Sequence, residues 1–210
     1  MTILKQVSSA LGERSGEANR RVAELCLAQP DLLAEVAVGL TSKNAALAGD
    51  CAEVMTMTAG VKPERVAPFA AALLDVLAHK TTRVRWEAMH ALAYSAACAP
   101  ALMAASLPRL AEIFRTDNSI IVRDYAVDAI GNYAGTGQEA AEKAYPLLKE
   151  ALTLWEGRQA GHALQGLIHV AAAAPRLGAE IREAAIPFLE NPKGVVRKTA
   201  RALIKSIDAG

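Results

Sequence analysis

The chain has 210 residues, a formal net charge of +1, 52% hydrophobic residues and only 4% aromatic residues. That length can bury a continuous core without disulfides or metal ions, and the small net charge argues against a protein that tracks nucleic acid phosphates. Because alanine is abundant and proline and glycine occur singly, the composition predicts helices packed on helices and excludes a β-sheet.

Residues 1–30 are predicted to form a partial unit that caps the N-terminal end of the fold. Ala18, Val22 and Leu25 recur at helical spacing and are expected on one apolar face, and Pro30 ends the segment. Terminal units of a repeat array are often atypical because one of their faces has no neighbour to pack against.

A repeated segment organises the remainder of the chain. Residues 84–92 (VRWEAMHAL) align with residues 122–130 (VRDYAVDAI), and residues 196–200 begin in the same way. Degenerate copies begin at Leu47 and Gln159, so the starting positions 47, 84, 122, 159 and 196 are 37 or 38 residues apart. Apolar or small residues at i, i+4, i+7 and i+8 predict an amphipathic helix in each segment, which we call a second helix.

A first helix is predicted upstream of each second helix, with a proline near its start in four cases. Proline lacks an N–H and is tolerated in the first turn of a helix or at a kink. The connectors 80–82, 116–119 and 191–194 carry the capping and turn residues that join antiparallel helices. The four prolines are Pro68, Pro108, Pro146 and Pro187.

The order Pro-x-Leu, a short polar turn and Val-Arg-x-x-Ala-x-x-Ala-Leu resembles the HEAT repeat family and its bacterial HEAT-like relatives. The resemblance covers residues 31 to 208 and implies an all-α fold, a right-handed α-α superhelix or solenoid, as one domain over residues 1–210. Units 31–66 and 142–178 lack the Val-Arg pair. The implied repeats are 31–66, 67–102, 103–141, 142–178 and 179–208.

The resemblance also implies that the second helices line a concave groove that binds a partner. Trp86 is prominent there because the other repeats carry a small or charged residue at its position, and exposed tryptophan is enriched in binding hot spots. Packing of Trp86 over Met89 or an adjacent helix is the alternative. The residues predicted to face the groove are Glu53, Trp86, His90, Asp124, Asp128 and Gln165.

Charge at these positions indicates the kind of partner. Glu53, Asp124 and Asp128 make the middle of the predicted groove acidic, which favours a basic or mixed-charge peptide. Asp124 and Asp128 are one turn apart, and with His90 they could bind a cation or act as acid and base. No Cys, Glu or second His completes such a set, so we predict no metal site and no catalytic residue.

An arginine follows the first residue of three second helices, at Arg85, Arg123 and Arg197. In HEAT-like units this arginine commonly bonds an acidic turn residue of a neighbouring repeat, and Asp117 is a candidate partner. A clamp for an anion is the alternative, because a guanidinium matches the geometry of carboxylates and phosphates.

Trp155 and two histidines follow in the degenerate unit 142–178. Trp155 precedes Glu156 and Gly157, and we expect it to pack in the core or in a turn. His162 and His169 lie two turns apart on one predicted helix, too far to share a ligand, and are expected at the surface or as caps.

The last predicted helix is basic. A charged terminal helix usually keeps a repeat array soluble; contact with phosphate, an anionic membrane surface or an acidic partner is the alternative. Its basic residues are Lys193, Arg197, Lys198, Arg201 and Lys205.

Cysteine usage and hydropathy indicate the compartment. Cys26, Cys51 and Cys98 are odd in number, far apart and set in apolar helical segments, which predicts reduced thiols in the core of a cytoplasmic protein. No segment offers about 18 consecutive uncharged apolar residues, and the N-terminus lacks a long apolar run before a cleavage site. We therefore predict a cytoplasmic protein without a membrane span.

These observations favour a non-catalytic scaffold, adaptor or assembly factor that binds a protein or peptide without a cofactor. At fold level the chain also resembles bacterial alkylpurine DNA glycosylases, since Trp86 and Asp124 are similar to their aromatic and acidic cleft residues. Nucleic acid is not the expected partner, because the groove positions carry more acid than base before Lys198. Bilin lyases of light-harvesting assembly share only the repeat pattern. The sequence makes no prediction of oligomeric state.

Overall fold

The structure is a computed structural model that describes residues 2–209, within which all regular secondary structure is helical. The chain forms two compact units, Met1–Ala99 and Pro100–Gly210. The α-helices of the first unit are α1 (Ser8–Leu11), α2 (Glu17–Ala28), α3 (Leu32–Gly39), α4 (Ala45–Ala59), α5 (Pro63–Val66), α6 (Ala70–Asp75) and α7 (Thr82–Ser95). Those of the second are α8 (Pro100–Thr116), α9 (Ile120–Ala134), α10 (Gln138–Ala151), α11 (Leu154–Gly157), α12 (Ala160–Ala173), α13 (Gly178–Ala185) and α14 (Gly194–Asp208).

Short 3-10 helices extend or join these elements. They cover Ile3–Gln6, Ala67–Phe69, Val76–Ala78, Ala96–Cys98, Pro175–Leu177 and Ile186–Glu190. The segment from Pro63 to Ala78 therefore alternates between α and 3-10 turns, and it takes the place of a first helix before α7.

The predicted second helices are present and pack side by side within each unit. They begin at residues 45, 82, 120, 160 and 194, within two residues of the predicted starting positions. In the first unit α4 packs against α7, and in the second unit α12 packs against both α9 and α14. Each buries its apolar stripe, and α9 for example encloses Val122, Ala126 and Ile130.

The prolines do not start the first helices as predicted. Pro108 and Pro146 lie inside α8 and α10, and Pro68 and Pro187 lie in 3-10 turns that interrupt or extend helices. Pro108 and Pro146 are both exposed. On a solvent-facing side of a helix, water can bond the carbonyl that proline leaves unpaired, so the helix continues through the residue.

The segment predicted to cap the N-terminal end contains α2, whose buried face differs in part from the prediction. Ala18 and Val22 are buried, but Leu25 is exposed, so its predicted place on the apolar face is wrong. The buried face continues instead through Cys26, which follows Val22 by four residues, and through the polar Asn19. Asn19 is tolerated there because its Oδ1 accepts the N–H of Ser8 and its Nδ2 donates to Asp50 and Glu53.

Two of the three cysteines occupy the core. Burial raises the pKa of Cys26 to about 11 and that of Cys51 to about 12. Cys98 is exposed, so the prediction of a core position is wrong for this residue. It lies in the 3-10 turn that follows α7, after the apolar stripe of that helix has ended.

Two glycines allow α9 and α12 to approach closely. A Cβ atom on Gly131 would lie 2.7 Å from the Cα atom of Gly166. A Cβ atom on Gly166 would lie 2.8 Å from Cδ2 of Leu148 and 2.9 Å from the Cα atom of Gly131. Because the two backbones lie so close here, polar residues one turn before the glycines, Asp128 on α9 and His162 on α12, come within hydrogen-bonding distance.

None of the helices between residues 2 and 209 combines the length and the apolar character that crossing a membrane requires.

Candidate functional site

Two carboxylates of α9 meet a histidine of α12. Nδ1 of His162 lies 2.8 Å from Oδ1 of Asp128, and Nε2 of the same ring lies 3.8 Å from Oδ2 of Asp124. Gln159 completes the group by donating from Nε2 to Oδ1 of Asp124 at 2.9 Å. We call these four residues the acidic cluster.

The acidic cluster is partly open to solvent. The side chains of Asp124, Asp128 and His162 are 24%, 26% and 38% exposed, whereas Gln159 is buried. A cationic side chain can therefore reach the carboxylates, although Gln159 itself is not accessible. Gln165, another predicted partner-binding residue, is exposed on α12 one turn beyond the cluster.

Hydrogen bonding to Asp128 raises the pKa of His162, and the charges of Asp128 and Asp124 add to this effect against the opposing effect of burial. The ring is therefore protonated at a higher pH than an ordinary histidine. A protonated His162 leaves the cluster with one net negative charge, and a neutral His162 leaves it with two.

His162 was not predicted as a member of this cluster. Comparing equal positions of successive repeats pairs Asp124 with Gly161, whereas the contact is made to the next residue, 38 positions along the chain from Asp124. For Asp128 the separation is 34 residues. Side chains on a helix point toward its N-terminus and meet partners about one turn from the equivalent position, which a comparison by period alone does not include.

Glu53 lies in a separate polar network of the first unit. Its Oε2 accepts from Nδ2 of Asn19 at 2.7 Å and from Nη2 of Arg83 at 2.7 Å. The same two donors bond Oδ1 of the buried Asp50, at 3.0 Å and 2.8 Å. Because its carboxylate already accepts hydrogen bonds from a guanidinium and an amide, Glu53 is a weaker candidate for partner contact than Asp124 or Asp128.

Asp50 is held ionised within that network. Burial alone would raise the pKa of Asp50, but hydrogen bonds from Ser9, Asn19 and Arg83 outweigh it and lower the pKa. Burial likewise opposes the charge of Arg83, yet its bonds to Asp50 and Glu53 raise the pKa of the guanidinium. The network therefore joins α1, α2, α4 and α7 through hydrogen bonds and the ion pairs of Arg83.

Trp86 lies on α7 and is half-buried, so it is neither fully exposed in a groove nor fully packed in the core. Its Nε1 donates to Oε1 of Glu87 at 2.6 Å, and burial raises the pKa of that carboxyl. The ring of His90 lies against Tyr94, with 4.5 Å between centroids, and Tyr94 is exposed. Part of this aromatic surface is therefore accessible.

The three repeated arginines bond the connectors of their own repeats. Nη1 donates to a backbone carbonyl six residues upstream in each case: His79 for Arg85 at 3.0 Å, Asp117 for Arg123 at 2.7 Å, and Asn191 for Arg197 at 2.7 Å. These bonds support a role in closing the turn between first and second helices. The carboxylate of Asp117 also accepts the N–H of Ser119, at 2.7 Å.

The basic residues Lys198, Arg201 and Lys205 are exposed on α14. Asp208, the acidic residue of α14, pairs instead with Arg182, whose Nε lies 3.1 Å from its Oδ1. The role of this surface stays a prediction.

Comparison with solved structures shows which fold the chain adopts. A designed armadillo repeat protein in complex with the peptide (KR)4 is similar with a TM-score of 0.74 at 18% identity, covering 98% of both chains. Another designed armadillo repeat protein has a TM-score of 0.70 at 17% identity, again over 98% of each chain. An engineered protein matches with a TM-score of 0.72 and 20% identity over the full length of both chains.

These similarities show the fold alone, and the chain is an all-helical α-solenoid of repeats as predicted. No family model and no curated protein matches the chain. The finer assignment to HEAT repeats and a bacterial origin rests on the sequence pattern.

Proposed function

We propose that the protein is a non-catalytic peptide-binding module of the cytoplasm, whose acidic cluster receives cationic side chains of a protein partner. The observation that carries the proposal is the pair of partly exposed carboxylates, Asp124 and Asp128, one turn apart on α9. Lysine and arginine side chains spaced along an extended peptide can each form a charge-assisted hydrogen bond with such a pair.

The cluster has the properties of a binding surface rather than of a structural ion pair. The cationic partner of its carboxylates is a histidine, which is charged only when protonated, whereas Asp50 and Glu53 of the first unit share the permanent charge of Arg83. The similar designed armadillo protein binds the peptide (KR)4, which indicates that a solenoid of this kind can hold a basic peptide.

Fluorescence anisotropy with labelled (KR)4 tests the proposal. The Asp124→Asn/Asp128→Asn variant removes two charges with little change in shape, and we expect its Kd to be about five- to tenfold higher than that of the wild type. Glu183→Gln/Glu190→Gln is the matched control, because both residues are exposed in the same unit and the change in net charge is identical.

Equal weakening in the two double variants would show that binding follows net charge and not the acidic cluster. Tight binding of duplex DNA that falls steeply with salt would contradict the proposal altogether and favour the nucleic acid alternative.

A further inference from the structure

The connector before α12 is longer than its counterparts and is not required by the repeat. Eight residues, 152–159, separate α10 from α12. Three residues separate the corresponding elements before α7, α9 and α14, at 79–81, 117–119 and 191–193. The connector before α12 therefore contains five residues more than these three connectors, which join the same kinds of helices.

The additional residues include α11, whose backbone is a left-handed turn and not a regular right-handed α-helix. The φ angles of Trp155, Glu156 and Gly157 are 52°, 57° and 70°. A left-handed conformation is unfavourable for residues with a Cβ atom, so two consecutive non-glycine residues persist in it only where other contacts hold them.

Trp155 provides the contacts that hold this turn. Its Nε1 donates to the carbonyl of Phe114 at 3.0 Å, and the guanidinium carbon of Arg123 lies 4.0 Å from the centre of its ring. The residue nevertheless remains 40% exposed. Trp155 thus packs in a turn, as the sequence predicts, and covers Arg123 with a ring whose other parts face solvent.

Arg123 is a buried cation without an anionic partner. Only 3% of the residue is exposed, and among residues 2–209 no carboxylate lies within 4.0 Å of its guanidinium nitrogens. Nη1 donates to the carbonyl of Asp117, but Nε has no hydrogen-bond partner. Stacking on an aromatic ring returns only part of what it costs to desolvate a guanidinium.

A shallow cavity of about 400 Å³ opens beside this arginine. It lies at the N-terminus of the 15-residue helix α9, where the helix dipole favours a negative charge. Arg158 adds a second, exposed guanidinium. The lining residues are Asn118, Ile120, Arg123, Trp155, Glu156 and Arg158.

We propose that this cavity is a binding site for an oxyanion, a carboxylate or phosphate group, with Arg123 as its buried cationic ligand, Arg158 at its rim and Trp155 as its aromatic cover. Glu156 also lines the cavity, and its carboxylate opposes an incoming anion. The site is distinct from the acidic cluster, so either proposal can fail without the other.

Comparison with Arg197 shows what is particular to this site. Arg197 occupies the equivalent position of its repeat, is half-buried, and donates from Nη1 to two carbonyls, those of Asn191 and Pro192. Arg123, unlike Arg197, is both deeply buried and stacked against a tryptophan ring.

Fluorescence titration tests the proposal in the full chain. In a Trp86→Phe background Trp155 is the remaining tryptophan, and sodium phosphate and sodium acetate are added at an ionic strength held constant with sodium chloride. We expect a saturable change in Trp155 emission. Saturation by phosphate alone indicates a phosphate ligand, saturation by acetate alone indicates a carboxylate, and no saturable change with either anion overturns the proposal.

Two exposed residues give variants with opposite expected effects. Arg158→Gln is expected to weaken binding about threefold, and Glu156→Gln to strengthen it by a similar factor, because each removes one surface charge of opposite sign. Arg123→Met is expected to abolish the saturable change. Retention of that change in a folded Arg123→Met protein, or equal affinities for the two surface variants, would overturn the proposal.

Discussion

His162 makes the acidic cluster sensitive to pH. Its pKa is raised in the folded protein, mainly by the hydrogen bond to Asp128, so folding favours the protonated ring. The stabilisation that results is complete below the ordinary histidine value of about 6.5 and is lost as the pH rises through the raised native pKa. The same protonation compensates part of the charge that a basic peptide would bind.

Replacement of His162 by glutamine is expected to remove this dependence. The free energy of unfolding of the wild type should fall relative to that of His162→Gln as the pH increases from about 6 to about 8. Urea unfolding followed by circular dichroism at several pH values measures the difference. Parallel pH profiles for the two proteins would contradict the assignment of the raised pKa to this contact.

At the level of single residues, the sequence could place Asp124 and Asp128 on one helix face because helical periodicity alone determines it. The sequence could not show that His162 contacts Asp128, or that Asn19 and Arg83 contact Glu53, because such contacts depend on the offset between packed helices. The separations are 33 residues for Asp50 and Arg83 and 35 residues for Asp124 and Gln159, against a repeat of 37 or 38. The offset depends on how closely the helices pack, and in the second unit that is determined by two glycines.

The helices α9 and α12 approach each other closely at Gly131 and Gly166. Small residues at a crossing allow backbones to approach, and the packed atoms leave no room for a methyl group. This interface fixes the distance between Asp128 and His162, so its geometry matters for the candidate site as well as for stability.

Gly166→Ala is expected to lower the free energy of unfolding by about 1–3 kcal/mol, because its methyl group would overlap Leu148 and the backbone of Gly131. Gly161→Ala on the same helix is the control. There a Cβ atom would meet Val196 at 3.8 Å, an ordinary contact, so the substitution should be neutral or stabilise by roughly 0.5–1 kcal/mol. Similar unfolding midpoints for both variants would show that α9 and α12 separate at little cost.

Whole elements were predictable to different degrees. The five second helices carry complete amphipathic stripes, so their positions follow from periodicity. The first helices were misplaced, because a proline in a helix is unfavourable in general but tolerated on exposed positions such as Pro108 and Pro146. The eight-residue connector 152–159 interrupts the pattern, and no local propensity predicts two non-glycine residues in a left-handed turn.

At the level of the whole molecule, the periodic pattern determines the α-solenoid but not its family. The three solved structures compared above are at most 20% identical to the chain and share its fold over nearly the full length, and two of them are designed armadillo repeat proteins. HEAT and armadillo repeats both pack helices into stacked units, so the similarity supports the architecture that the two have in common.

The reactivity of the three thiols reports on the integrity of the molecule. Burial hinders access to Cys26 and Cys51 and raises their pKa values, so at neutral pH both should react slowly with a disulfide reagent. Exposed Cys98 should react fast, giving about one thiol per native chain and three in denaturant. A Cys98→Ala variant should show no fast phase; a persisting fast phase would indicate that the first unit opens locally.

The connector 152–159 has a consequence for engineering by exchange of repeats. Solenoids are commonly lengthened or shortened by whole units because their repeats are interchangeable. Trp155 connects the repeat that contains α12 to the repeat before it, because it contacts Phe114 and Arg123 of that preceding repeat. If the repeat that contains α12 were placed after any other repeat, Trp155 would lose both contacts. The contacts of Trp155 therefore determine which repeat must precede it.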